Sequence, residues 1–393
     1  MLSFRGVTLI SFIIAVYNNQ RYLRCAVQSV LDVDKEYDVE VVIIDDGSTD
    51  NTPQIADELA RQDDRIKVIH QENQWIYASF NNGIKAAKGE YIYILNSDDM
   101  LFDGAVGVFF DAIEKYNHPD VIWTKVIWQD VDENQNVLSE HDMNESVTED
   151  TYYDSKESVR SNWLYVLESE VAVNQANLYK RELALTHPFR NDYYAGDSFF
   201  NMGIADDIDS MVFLSAPIYR YMSYQDSGMN ASVGKYYGYE HRMFNELMDC
   251  EDELYSKWDN TDKLIENVVI RRLKELTYEI EILEYRNCDI EKAGILEHLF
   301  CVVADSKIRQ MAKRIGRERE YESRILTGAR NLINHLDLQG NIPEYVDRLV
   351  RYLPENYLDN VDRTIIDKRE IDTAINDAKN KDRIGKIYYS EDW

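Results

Sequence analysis

Four cysteines, Cys25, Cys250, Cys288 and Cys301, are scattered through 393 residues without a C-x-x-C spacing. That pattern excludes a disulfide scaffold and offers no zinc-ligand set, so reduced thiols and a cytosolic setting are the expectation. The seven histidines form no pair at metal-ligand spacing, and His187, before Pro188, reads as a turn residue. Basic residues are scarce: 43 Lys and Arg stand against 72 Asp and Glu, a net charge of -29. Such a surface repels a phosphate backbone, which sets nucleic acid aside as a partner. Long apolar runs are missing too. Val7 to Val16 contains Thr8 and Ser11 and falls far short of the roughly 20 residues that span a bilayer, and no other stretch is longer. After that first apolar run the chain reads Tyr17-Asn18-Asn19-Gln20. The G-x-G-x-x-G of a dinucleotide-binding enzyme is absent there, as is the Gly-rich basic loop that a sugar nucleotidyltransferase needs. No repeat of fixed period and no low-complexity tract interrupts the chain.

What is present is a chain long enough for two or three domains, 45% hydrophobic and 12% aromatic. Two runs dominate it: Val41-Val42-Ile43-Ile44-Asp45-Asp46-Gly47-Ser48-Thr49-Asp50, and Tyr91-Ile92-Tyr93-Ile94-Leu95-Asn96-Ser97-Asp98-Asp99. Each is a continuous apolar stretch that ends abruptly in carboxylates. Strands buried on both faces of a parallel sheet read this way, and ligands bind at the carboxyl ends of such strands. Two acidic clusters brought close repel unless a cation or donors lie between them, which points to a hard divalent metal with oxygen ligands and a diphosphate completing its shell. Strands are expected over Thr8–Val16, Glu40–Ile44, Arg65–Ile69, Tyr91–Leu95 and Asp120–Trp128. Helical faces lie between them at Leu23, Val27, Val30 and Leu31, and at Ile55 and Leu59 after the Thr52-Pro53 start. The pattern gives an α/β class with a Rossmann-like, mostly parallel central sheet flanked by helices. Residues 130–160 hold ten acidic residues against Lys156 and Arg160 and read as an exposed excursion. Order resumes near Trp163 and runs through Asn177–Arg181 to Pro217–Tyr221, adding strands and the acceptor side of the site. After about Tyr239 helical spacing takes over, with Leu264, Ile265, Val268, Leu276, Ile280 and Leu283, then Tyr345–Tyr352 and Ile365–Ala378. The expected division is 1–239, itself split near 129 into a nucleotide half and an acceptor half, followed by an all-α domain over 240–393.

Five motifs in order resemble those of the inverting family 2 glycosyltransferases with a GT-A fold. They are Ile14-Ala15-Val16-Tyr17-Asn18, Asp45–Asp50, Asn81-Asn82-Gly83-Ile84 before Lys88-Gly89-Glu90-Tyr91, Asn96-Ser97-Asp98-Asp99, and Gly196-Asp197. The resemblance covers residues 8 to about 235. It implies a hexosyltransferase-type enzyme that moves a sugar from a nucleotide-sugar donor, UDP-linked, to a hydroxyl of a surface glycan, cell-wall polymer or glycoprotein, the acceptor being a glycan, lipid-linked or protein-linked. Carried over by position, Asp45 and Asp46 read base and ribose, uracil offering a ring N–H to a carboxylate; Ala15, Tyr17 and Asn18 line the same pocket, and Asn81, Asn96 and Ser97 join the donor side. Asn96–Asp99 stands where the family has D-x-D, so Asp98, with Asp99 second or shaping the loop, would hold Mn²⁺ or Mg²⁺ against the donor diphosphate. Asp197 matches the general base that deprotonates the acceptor hydroxyl during inversion, with Asp192 as its rival. Bland readings stand beside these: Asp45–Asp50 as a strand-to-helix turn with capping residues, and Asp197 as a helix cap.

The sequence also departs from the family. Asn96 replaces the first acidic residue of D-x-D, Asn73-Gln74-Trp75 stands where Asn-x-Gly is usual, Phe80 precedes Asn81 where an Arg is common, and Gly196 replaces a Glu. Trp75 and Tyr77 are either packing residues or stacking surfaces. Together the departures keep open a degenerate GT-A scaffold or glycan- or nucleotide-binding module. The segment Tyr219–Ser232, with Tyr221, Tyr224, Asp226, Ser227 and Asn230, resembles the family's closing loop. Lys307–Arg319 carries six basic residues with Ile308, Met311, Ala312 and Ile315 on one face. Such a helix lies on an anionic membrane, which would place the protein peripherally at the inner face, or else meets an acidic neighbour. The helical domain either supports the acceptor site or forms a homodimer.

Overall fold

A computed structural model describes residues 8–33, 37–168, 176–224, 236–258, 262–281 and 306–321, with single positions 283, 295, 298, 299, 302 and 325. Asp226, Ser227, Asn230, Tyr345–Tyr352 and Ile365–Ala378 lie outside the described residues. The chain divides into two compact units, 1–227 and 228–393.

In the first unit β1 (Ile10–Val16), α1 (Leu23–Leu31), β2 (Val39–Asp45), α2 (Thr52–Gln62), β3 (Ile66–His70), α3 (Ile76–Ala86) and β4 (Tyr91–Ile94) alternate as the sequence pattern requires. There follow β5 (Met100–Leu101), α4 (Ala105–Lys115), β6 (Val121–Val131), β7 (Val137–Asp142), β8 (Thr151–Tyr153), α5 (Lys156–Glu168), β9 (Asn177–Lys180), α6 (Arg181–Thr186), α7 (Gly196–Ile204) and β10 (Met211–Tyr224). The strands join one sheet of order β3-β2-β1-β4-β9-β6-β10-β5, with β7 on β6 and β8 on β10.

Alternation sorts the two faces. Ile10, Phe12, Ile14, Val16, Val41 and Ile43 pack with Leu23, Val27 and Val30 of α1, Ala56 and Leu59 of α2 and Phe109 of α4. Ile13 and Ile44 face the other way, onto α3. A side chain at Gly83 of α3 would collide with Ile13, so the glycine sets how closely helix and sheet approach. With both faces covered, β1 and β2 are apolar almost throughout, and polar side chains reach water only at the strand ends.

The expectation of a mostly parallel sheet holds for strand direction: β3, β2, β1, β4, β6 and β10, six of the ten strands, point the same way. β3, β2, β1 and β4 run parallel, and so do β6 and β10. β9 lies antiparallel between β4 and β6, and β5, β7 and β8 also pair antiparallel. The sheet is therefore mixed. The acidic 130–160 stretch is also more ordered than its charge suggests: it contains the end of β6, the hairpin strand β7, β8 and the start of α5. Backbone pairing to β6 and β10 holds it, with Val131, Val147, Tyr153 and Val159 buried and the side chains of β7 left mostly in water.

The second unit contains α8 (Glu240–Lys257), α9 (Asp262–Glu281), α10 (Ser306–Arg314) and the short α11 (Glu318–Tyr321). Met243, Leu247 and Leu254 of α8 are buried, as are Val268, Val269, Leu273, Leu276 and Ile280 of α9. Between these helices a buried Arg272 guanidinium donates to Glu279 Oε1 at 2.5 Å and to Asn245 Oδ1 at 2.9 Å, and His241 Nδ1 meets Glu279 Oε2 at 2.9 Å. Ile308 and Ala312 of α10 are fully buried, so the apolar face of the basic segment is covered within its own unit. On its polar side Lys307 pairs with Asp249, and Arg317 with Glu266 at 2.6 Å. These are the acidic neighbours of the second reading of that segment. Among the described residues no helix is long and apolar enough to cross a membrane.

Candidate active site

The parallel strands β1, β2, β3 and β4 all end on one edge, which brings Tyr17–Asn19, Asp45–Asp50, His70–Trp75 and Asn96–Asp99 side by side. Hydrogen bonds stitch these loops together. Asn18, in the left-handed region at φ 50°, accepts from Thr49 N through Oδ1 at 2.7 Å, and its own N–H donates to Ser48 Oγ at 2.9 Å. Asn19 Nδ2 donates to Ser97 Oγ at 2.9 Å, tying the β1 tip to the β4 tip. Ala15 is half-buried at the end of β1, and the Tyr17 ring projects into solvent.

The two adjacent aspartates have different surroundings. Asp45 Oδ1 accepts from Ser48 N at 3.1 Å, and Oδ2 lies 2.7 Å from His70 Nδ1. The other ring nitrogen of His70 is 3.2 Å from Asp57 Oδ1. The bond to Asp45, reinforced by that to Asp57, raises the His70 pKa above its ordinary value. Asp46 points the opposite way. Its Oδ1 accepts from Gln71 Nε2 at 2.7 Å and Gln74 N at 2.9 Å, and no described residue donates to its Oδ2. Gln71 in turn donates to Ser79 Oγ at 3.0 Å and accepts from Asn82 Nδ2 at 2.8 Å. Asp45 thus belongs to a His-centred pair of carboxylates, whereas Asp46 keeps one oxygen for a ligand.

At the β4 tip Asp99 is 2% exposed and its carboxylate is fully engaged. Oδ1 accepts from Met222 N at 2.8 Å; Oδ2 accepts from Tyr219 Oη at 2.5 Å and Asn96 Nδ2 at 2.9 Å. Burial, followed by the nearby charge of Asp98, pushes its pKa up to about 8. Asp98 is half-buried, and no other described residue donates to its carboxylate; desolvation lifts its pKa as well. Its backbone carbonyl accepts from Tyr224 Oη at 3.0 Å, and Tyr224 stacks on Tyr22 with centroids 4.0 Å apart. Asn96 Oδ1 is buried with no donor. Both Asp99 oxygens are taken by protein donors, which accords with a part in shaping the loop rather than in holding a metal, while Asp98 and the orphaned Asn96 oxygen remain as hard oxygen donors.

That donor set fits Mg²⁺ or Mn²⁺ but is too sparse to enclose one. Among the described residues no group of three or more His, Cys, Asp or Glu side chains is placed to hold a metal ion. A cation here would need further oxygens from outside the protein.

Asp197 lies in the first turn of α7. Its Oδ1 accepts from Ser198 N at 2.8 Å and is 3.4 Å from Tyr77 Oη; burial raises its pKa, which brings a carboxylate toward the range useful to a base. The helix-cap reading does not hold: α7 already begins at Gly196, its N-cap is Ala195, and the bond to Ser198 N is a contact to the next residue within the first turn. Tyr77 Oη donates to Tyr194 O at 2.7 Å, and its ring stacks on Phe189 at 5.8 Å. A side chain at Gly196 would strike the Arg190 carbonyl and stand 2.7 Å from the Tyr77 ring. The missing Glu is thus explained: Tyr77 occupies its space. Phe80, in place of the usual Arg, is buried against Tyr77 and Phe189. The rival base, Asp192, is held by Arg190 through bonds of 3.0 and 2.5 Å.

Asn81 does not sit free on the donor side. Its Nδ2 donates to Phe189 O at 2.8 Å and its Oδ1 accepts from Phe189 N at 2.9 Å, a two-point clamp on the loop before Asp197. Tyr77 packs, as one reading had it; Trp75 does not, being 54% exposed. Sequence reasoning missed His70, Gln71, Tyr219 and Asn19. His70 and Gln71 directly follow the apolar run of β3, the same strand-end signal that marked the aspartates.

Residues 11–182 match the family described as glycosyl transferase family 2. The glycosyltransferase GlyG of Streptococcus pneumoniae serotype 4 (strain ATCC BAA-334 / TIGR4) is 37% identical over 115 residues, 29% of this chain and 38% of GlyG. The chain thus spans well under half the length of that relative. A GalNAc(5)-diNAcBac-PP-undecaprenol beta-1,3-glucosyltransferase of Campylobacter jejuni subsp. jejuni serotype O:2 is 24% identical over 257 residues, 63% of this chain and 78% of that protein. Among solved structures, S. aureus TarS 1-349 superposes with a TM-score of 0.54 at 17% identity, covering 83% of this chain and 90% of that one. The GT-A fold is shared; a second TarS structure, at a TM-score of 0.50, contains UDP.

Proposed function

We propose, from the premise that residues 11–182 match glycosyl transferase family 2, that the protein is an inverting, metal-dependent glycosyltransferase. It takes a UDP-linked sugar and transfers it to a hydroxyl of a glycan. The observation that carries this reading is the strand edge itself: among the described residues none donates to Asp46 Oδ2 at the tip of β2, and no other residue donates to the Asp98 carboxylate at the tip of β4. Two strand spacings of roughly 4.8 Å separate these tips, which gives a base-binding end and a diphosphate-binding end.

Asp46 Oδ2 accepts the ring N–H of uracil, while Gln71 and Gln74 fix the carboxylate so that little freedom is lost on binding. Asp98 and the Asn96 oxygen would hold Mg²⁺ or Mn²⁺, which when bound neutralises charge on the departing diphosphate. Tyr219, Met222 and Asn96 hold Asp99 in place and so fix the loop that presents Asp98. Asp197 accepts the proton of the acceptor hydroxyl as that oxygen attacks the anomeric carbon from the face opposite the leaving group. Tyr77 and Ser198 orient Asp197, and no covalent enzyme intermediate is needed. The UDP seen in one fold neighbour and the polyprenyl-diphosphate glycan named for one relative support a UDP donor and a lipid-linked or cell-surface glycan acceptor.

Calorimetry with UDP, with and without Mg²⁺, followed by a UDP-sugar hydrolysis panel, tests the reading. The parent should bind UDP far more tightly with the cation and release UDP from one donor, and Asp98→Ala should lose both properties at an unchanged Tm. An Asp98→Ala variant that bound and hydrolysed like the parent would remove the metal assignment. UDP binding without turnover on any donor would favour the degenerate module instead.

A further inference from the structure

Trp75 stands where glycine would be comfortable and tryptophan is not. Its backbone lies at φ 72° and ψ 164°, a region that L side chains rarely adopt. The resembling family carries glycine here. Burial offers no compensation, since the indole is 54% exposed, while Tyr77, two residues on, is packed against Phe189. The strained backbone is nevertheless held firmly. Gln74 N donates to Asp46 Oδ1 at 2.9 Å, and the Trp75 carbonyl accepts from both Ser79 N and Ser79 Oγ at 3.1 Å. A fixed backbone that holds a large aromatic ring in water, at a conformational cost, indicates a contact completed only when a ligand is present.

The strand order says which part of a ligand that is. Trp75 ends the loop after β3, whose Asn73 lies against Gly47 and whose Gln74 N donates to Asp46 Oδ1, so this part of the loop stands at the tip of β2, two strand steps from that of β4. The ring therefore lies at the Asp46 end of the edge, away from Asp98. Its neighbour Gln74 is bonded to Asp46, whose second oxygen is open.

We propose that Trp75 contacts the donor, its indole forming one wall of a subsite in which the planar base of a nucleoside diphosphate stacks while Asp46 Oδ2 accepts the base N–H. The proposal rests on the donor-binding reading above and adds the residue that replaces the family's glycine. Stacking tolerates any base, because every base has a π face, and Asp46 supplies the preference for uracil.

Titration calorimetry on the full chain with Mg²⁺ tests it, using UDP and inorganic pyrophosphate as probes. Trp75→Phe should keep UDP affinity within about 3-fold, whereas Trp75→Ala and Trp75→Gly should weaken it about 10-fold or more. Pyrophosphate affinity should be the same in all four proteins. Trp75→Gly should also melt no lower than the parent, because glycine relieves the backbone. The proposal is overturned if Ala and Gly bind UDP within 2-fold of the parent, or if pyrophosphate binding falls in parallel, which would show collapse of the loop rather than loss of a stack. A parent that binds neither UDP nor any other nucleoside diphosphate defeats the donor-binding reading as well; unaffected variants of a binding parent defeat only the role of Trp75.

Discussion

Gly196→Ala is a one-methyl perturbation placed beside the proposed base. The added Cβ would strike the Arg190 carbonyl and sit 2.7 Å from two atoms of the Tyr77 ring, closer than real Cβ contacts come. Neither obstacle can yield easily. Tyr77 is tethered by its hydroxyl to Tyr194 O at 2.7 Å and stacked on Phe189, and Phe189 is clamped at both its N–H and C=O by Asn81. The strain must pass into the first turn of α7, where Asp197 is the next residue. Overpacking of this kind costs about 1–3 kcal/mol, and in a unit of this size each kcal/mol lowers Tm by about 2–4 °C. Misplacing a catalytic group by on the order of 1 Å can reduce turnover about 100-fold.

Thermal melts, UDP calorimetry and UDP release from the active donor therefore separate the outcomes. Tm should fall by about 2–12 °C and turnover by about 10- to 100-fold, while UDP affinity stays within about 2-fold, since Asp46 and Asp98 lie on other loops. Tyr77→Ala removes the ring but leaves the Arg190 carbonyl, so the double variant should lose less than the two single losses added together. Parental melting and parental turnover in Gly196→Ala would refute the crowding argument. An equal fall in UDP affinity and turnover would refute the claim that the damage is local to Asp197.

Asn81→Ala should lower Tm by the equivalent of about 2–3 kcal/mol through loss of two hydrogen bonds to Phe189, with UDP affinity unchanged; an unchanged Tm with weakened UDP binding would return Asn81 to the donor pocket. The raised pKa of His70 makes its contribution to stability complete below about pH 6.5, its unfolded value, and progressively lost as pH rises through the higher folded value. Its ring is 44% exposed, so the effect should stay under about 1 kcal/mol. The gap in Tm between parent and His70→Gln should therefore be wider at pH 5.5 than at pH 8.5, and a gap independent of pH would show that the Asp45–His70 pair does not couple to folding.

The strands of the nucleotide half were legible because both of their faces are buried, so apolar residues run on until the chain meets water, and the first polar residues are the site. Val39–Asp45 and Tyr91–Ile94 match the expected strands to within a residue or so for this reason. Direction was not legible. Asn177–Lys180 reads as a strand in either orientation, and nothing in four residues tells that it will run antiparallel between β4 and β6. The β6–β7 hairpin escaped notice because its stability comes from backbone bonds, while Val137–Asp142 leaves its side chains almost wholly in solvent.

Within the site, residue type told where carboxylates gather but not which of their oxygens are already taken. Asp45 and Asp46 are neighbours in sequence, as are Asp98 and Asp99, yet strand and loop geometry turns each pair in opposite senses. Among the described residues one member is fully engaged and the other keeps an oxygen open: Asp45 against His70 and Ser48, Asp46 open at Oδ2; Asp99 against Tyr219, Asn96 and Met222, Asp98 with no donor from another described residue. At the β4 tip the engaged Asp99 fixes the loop that presents Asp98, while at the β2 tip Asp46 is itself fixed through Oδ1 by Gln71 and Gln74. Of the departures from the family, Phe80 and Gly196 pack with Tyr77 beside Asp197, whereas Trp75 is exposed.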